Sequence, residues 1–94
     1  MLHVFARAKS KEEGQAGELR VILQQLAETS RTEAGVLRYE LFETSDSGEF
    51  LFHEEYASRE AFETHRASPH VRRAVRLAYR VMDGGLTLWE THPL

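Results

Sequence analysis

A chain of 94 residues, 41% hydrophobic and 29% charged, has room for one domain with a single small core, and its composition is not that of a disordered or fibrous protein. The net charge of −3 argues against a dedicated nucleic-acid binder, and the lack of cysteine excludes disulfides, a thiolate nucleophile and cysteine metal sites. No apolar run reaches the roughly 18 residues of a membrane span, and the apolar start is too short for a secretion signal, so the chain reads as cytoplasmic, with no membrane partner.

Residues 2–8 alternate, Leu2, Val4, Ala6 and Ala8 against His3, Phe5 and Arg7, which is strand periodicity. Ser10 followed by Glu13 reads as a capping box, and Ala16, Leu19, Ile22, Leu23, Leu26 and Ala27 recur at helical spacing, predicting a helix over 11–30. Gly35 frees the chain to turn. Strands over 36–43 and 49–57 follow, joined by the polar hairpin loop Thr44-Ser45-Asp46-Ser47-Gly48. Ser58 is placed to cap a short helix carrying Ala61, Phe62 and His65. Ser68-Pro69 opens a second helix, with Val71, Ala74, Val75 and Ala78 at the 3.6 period and Met82 a turn further on. Asp83-Gly84-Gly85 ends it, and residues 86–91 alternate as a last strand.

The order β-α-β-β-α-β predicts an α+β, ferredoxin-like fold over the single domain 1–94, an antiparallel four-stranded sheet with helices on one face. The hairpin strands are apolar on both faces: Leu37, Tyr39 and Leu41 oppose Val36 and Phe42, and Phe50, Phe52 and Tyr56 oppose Leu51. The face turned away from the helices is therefore expected to pack on a second copy as a two-fold homodimer.

Charge is uneven: residues 40–63 hold eight acids and one base, Arg59, while residues 66–82 hold five arginines and no acid. Either the two runs pair within or between subunits, or the arginines line an entrance that attracts an anionic ligand. His65 is the leading candidate for chemistry, because imidazole exchanges a proton near neutral pH. Glu54 and Tyr56 lie two apart on a strand and point the same way, together with Phe52. Glu54, set among aromatics, needs a partner from His65, Tyr56, Arg38 or Tyr39. His70 sits just inside a helix start, five residues from His65 and lacking the spacing of a helical metal pair, so no metal site is read. No nucleotide-binding or serine-hydrolase motif is present.

Three stretches, Ser30-Arg31-Thr32-Glu33-Ala34-Gly35-Val36-Leu37-Arg38-Tyr39-Glu40, Phe52-His53-Glu54-Glu55-Tyr56-Ala57-Ser58-Arg59-Glu60-Ala61-Phe62 and His65-Arg66-Ala67-Ser68-Pro69-His70, resemble the antibiotic biosynthesis monooxygenase domain family. The resemblance implies a dimeric α/β barrel, two ferredoxin-like subunits packed sheet to sheet, each with a pocket between its sheet and its helices. It also implies a small-molecule substrate and no cofactor. His65 would be the general base, Tyr56 and Glu54 would orient base or substrate, and Phe52, Tyr39, Phe62 and His70 would contact substrate. Heme-degrading and polyketide-oxidising members use an asparagine and a pocket tryptophan; this chain has no asparagine, and its one tryptophan, Trp89, is on the last strand. A quinol-like monooxygenase activity is the expectation that remains. Its alternatives are an isomerase of a small, phosphorylated carbonyl compound and a dimeric binding domain without catalysis.

Overall fold

The computed structural model describes all 94 residues. Four strands and three helices follow in the order β1 (Leu2–Lys9), α1 (Ala16–Ser30), β2 (Val36–Glu43), β3 (Glu49–Tyr56), α2 (Arg59–Ala67), α3 (Pro69–Tyr79) and β4 (Thr87–Thr91). The strands form one antiparallel sheet in the order β2-β3-β1-β4, as the ferredoxin-like expectation requires.

Strand alternation decides what each face holds. Val4, Ala6 and Ala8 of β1 and Phe50, Phe52, Glu54 and Tyr56 of β3 are all buried on the helix side. Ala8 pairs with Phe50 and Ala6 with Phe52, so both phenylalanine rings on β3 have a small neighbour on β1. Leu19, Leu23, Leu26 and Ala27 of α1 and Val71 and Ala78 of α3 close the core over them. The opposite face leaves Phe5, Phe42, Leu51 and Trp89 each more than two-fifths exposed.

The local expectations fail in three places. Ser10 does not cap a helix. It continues the sheet, bridging to Met82 and donating its backbone N–H to the Gly48 carbonyl at 2.8 Å. Helix α1 therefore begins only at Ala16, after a 3-10 turn at Glu13–Gln15 with no side-chain cap. The same pairing stops α3 at Tyr79, because residues 81–83 run back along the end of β1 through Lys11 N–H to the Val81 carbonyl and Asp83 N–H to the Lys9 carbonyl, each 2.7 Å. On β2, a bulge between Val36 and Arg38 turns Val36 toward the core and leaves Leu37 about half exposed, so Leu37 does not share the buried setting of Tyr39. Ser58 caps α2 as expected, its hydroxyl accepting from Ala61 N–H at 3.1 Å.

Gly35 has an unexpected role. Its backbone is not in the left-handed region; it is needed because a Cβ there would stand 2.5 Å from the Cβ of Ala61 on α2. Close seating of the α1–β2 turn on α2 is fixed by Ala57 N–H donating to the Gly35 carbonyl at 2.9 Å. Gly35→Ala is expected to lower the unfolding free energy by about 1–3 kcal/mol through overpacking, read from urea denaturation midpoints.

Glu54 is the one acid inside the core, 4% exposed, with the Tyr56 hydroxyl donating to its carboxylate. Burial pushes its pKa up to about 7, against the opposing pull of that hydrogen bond. The fold therefore holds the proton more tightly than the unfolded chain does, a contribution complete below the ordinary value of 4.5 and lost as pH rises through 7. Glu54→Gln removes the titration. It should gain on the native protein by about 3 kcal/mol between pH 4.5 and pH 8, checked by denaturant unfolding at both values.

Candidate functional site

Helix α2 turns Phe62 and His65, one turn apart, toward the sheet, where both are buried. The His65 ring lies between Tyr39 of β2 and Tyr56 of β3, with centroid distances of 5.4 and 5.3 Å. Its Nδ1 is 2.9 Å from Oε2 of Glu33, a residue in the α1–β2 turn. That turn is held by Glu33 N–H to the Ser30 carbonyl and Val36 N–H to the Glu33 carbonyl, both 3.1 Å. A carboxylate only accepts, so Nδ1 carries the proton and Nε2 is left as the basic nitrogen. Burial lowers the His65 pKa below its ordinary value, while the Glu33 hydrogen bond and charge pull it up.

His70, at the second position of α3, completes the group. Its Nε2 is 3.2 Å from the same Glu33 oxygen, yet it is out of line for a hydrogen bond and is buried without a partner. On the sheet side, Glu54 and Tyr56 form a second pair, in which burial and then the Glu54 charge hold the Tyr56 phenol above its usual range. Tyr39 is likewise held well up, by burial first and the Glu54 charge second.

A small, partly enclosed cavity lies between the sheet and helices α1 and α3, lined by Tyr39, Phe52 and Glu54 from the sheet and by Leu26, Ala74 and Met82 opposite. Its volume of about 30 Å3 has room for only one or two waters. Neither His65 nor Tyr56 lines it, and Phe62 packs instead on Tyr56 and Val4 in a separate apolar cluster. Outside, a groove of about 160 Å3 between α1 and α3 is lined by His70 and Arg73 and shares Leu26 and Ala74 with the cavity. A larger hollow of about 390 Å3 on the α1–β2 surface, lined by Arg20, Gln24 and Arg31, reaches none of the histidines.

The sequence-predicted residues thus fall into two touching sets, His65 with Tyr39, Tyr56 and His70, and Glu54 with Tyr56, Tyr39 and Phe52. Glu33 is the member that sequence reasoning missed. It lies 32 residues before His65, in a turn where no periodicity marks it, and the available signal was a single acid two residues ahead of a glycine. Within the chain the two charge runs meet once, Arg66 with Glu63 at 3.5 Å. Glu43, Glu49 and Glu55 bind Arg20, Arg7 and Arg38, whereas Arg72, Arg73, Arg76 and Arg80 on and just after α3 form no ion pair within the chain.

The family model described as antibiotic biosynthesis monooxygenase matches residues 1–77. Rv0793 of Mycobacterium tuberculosis is 36% identical over 83 residues, covering 88% of this chain and 76% of that protein. Its solved structure aligns with a TM-score of 0.89 at 30% identity, over 99% of this chain and 94% of that one. A crystal structure described as an antibiotic biosynthesis monooxygenase gives a TM-score of 0.93 at 30% identity, over 100% and 99% of the two chains. PA3566 from Pseudomonas aeruginosa gives 0.88 at 28% identity, over 99% and 93%. With a family model covering most of its length and a relative of this identity over most of the chain, the protein belongs to the antibiotic biosynthesis monooxygenase family.

Proposed function

We propose that the chain is a cofactor-independent monooxygenase of a quinol-like or electron-rich aromatic substrate, working as a homodimer, with His65 as general base. The observation that carries this reading is a buried imidazole whose Nδ1 is fixed on a carboxylate and whose pKa burial lowers, so that it is neutral and basic at Nε2 near pH 7. Closed-shell organics react slowly with triplet oxygen. Removing a phenolic proton makes the ring electron-rich enough to pass an electron to O2. One oxygen atom then enters the ring and the other leaves as water, the substrate supplying all four electrons.

Glu33 steadies the imidazolium that forms, as the carboxylate of a carboxylate–histidine pair does. Glu54, protonated below about pH 7 and held by the Tyr56 hydroxyl that donates to it, offers its own hydroxyl to a substrate oxygen from the sheet side. The ring would lie against Tyr39 and Phe52 with His70 toward the groove, while Phe62 backs Tyr56 from its separate cluster. Entry requires the wall of Leu26 and Ala74 to part, since the outer groove and the inner cavity meet there. Dimerisation through the outer sheet face is supported by the exposed Phe5, Phe42, Leu51 and Trp89.

A second reading, an isomerase of a phosphorylated carbonyl compound, is favoured by the unpaired arginines of α3, and equal turnover under argon would select it. The small cavity favours the binding-only reading, which activity of any kind would exclude.

With a menadiol-type quinol in an oxygen electrode, His65→Ala is expected to lower kcat by about 10²–10⁴-fold; uptake unchanged by that substitution would remove His65 from the chemistry. Glu33→Gln should lower kcat by about tenfold or more with KM little altered. The acid limb of the kcat/KM profile should report a group titrating below the ordinary histidine value of 6.5, activity falling as pH drops through it.

A further inference from the structure

We propose that Glu33, His65 and His70 form a binding site for a divalent transition-metal ion of the Zn2+ class. Two imidazole nitrogens and a carboxylate oxygen are the donors such ions take. The geometry is close to what the ion needs. Ligand atoms about 2.0–2.1 Å from a tetrahedral centre stand about 3.3 Å apart. Oε2 of Glu33 is 2.9 Å from Nδ1 of His65 and 3.2 Å from Nε2 of His70, and all three atoms lie within 4.8 Å of one another.

His70 Nε2 is the telling atom. It is buried, lies 3.2 Å from the shared carboxylate and has no hydrogen-bond partner, so it carries a desolvation cost that a metal bond would repay. The frame is mostly rigid, because His65 is held between two tyrosine rings and Glu33 by the turn that Gly35 seats on α2. The remaining adjustment falls to His70, whose side chain is partly exposed and whose Nε2 is held by no hydrogen bond, so that its ring closes the third edge. The groove lined by His70 is the side from which a water would supply the fourth ligand.

A second trio on the outer sheet face, His3, His53 and Glu55, is a poorer host. Its closest recorded nitrogen–oxygen approach is 4.0 Å, and Arg38 already neutralises the Glu55 carboxylate. An ion at Glu33, His65 and His70 would take the nitrogen through which Glu33 holds His65, so metal binding and base catalysis are mutually exclusive there. Binding itself stands apart from the catalytic reading and is tested without turnover.

Untagged, chelator-treated protein is titrated calorimetrically with Zn2+. One ion per chain is expected, with affinity lowered about tenfold or more by His70→Gln and by Glu33→Gln and unchanged by His53→Gln. Co2+ should give the visible d–d bands of a four-coordinate ion, lost in His70→Gln. The His70 side chain is partly exposed, and thermal unfolding checks that its variant is folded. Absence of saturable binding below about 100 μM Zn2+, or binding that follows His53 and ignores His70, would overturn the assignment.

Discussion

The contact between Glu33 and His65 ties together parts of the molecule that share no secondary structure. The carboxylate stands on a turn, the imidazole on a helix, and 32 residues of hairpin and loop separate them. Their 2.9 Å approach depends on the turn lying flat against α2, which only a residue without a side chain at position 35 permits. From that contact follow the tautomer of His65, the nitrogen left free, and the position of a second histidine at the same oxygen. A buried polar contact of this kind contributes little net stability but costs much if half of it is removed.

β3 shows how a strand can be both core and chemistry. Its four inward positions are Phe50, Phe52, Glu54 and Tyr56, so two fully apolar rings give way to an acid and a phenol along one face. The polar pair satisfies itself, Tyr56 donating to Glu54, so neither needs a polar partner from the helices that cover them. That self-sufficiency is why His65 looks to Glu33 rather than to Glu54.

Much of the architecture was legible in the sequence, because alternation on β1 and β3, the 3.6 period of α1 and α3, and the Ser58 cap are local signals that the tertiary structure leaves intact. The misreadings share one cause. Ser10, Met82 and Leu37 are governed by partners distant in sequence: a bridge between the ends of β1 and α3, and a bulge opposite Glu55 and Tyr56. Ser10 with Glu13 is a faithful capping motif in isolation, but the sheet claimed the serine first. Glu33 was invisible for the same reason. No rule of spacing links a turn to a helix that meets it only after the chain has folded back through a hairpin.

The small cavity beside Glu54 sets terms for anything that would occupy it. With room for only one or two waters, it cannot take a larger guest unless Leu26 and Ala74, the wall it shares with the outer groove, give way. Parting that wall costs packing contacts, while the return grows with the apolar area a guest buries. A guest with little apolar surface would return little of that cost. Selectivity for size in such a site comes from how tightly the core closes when nothing is there.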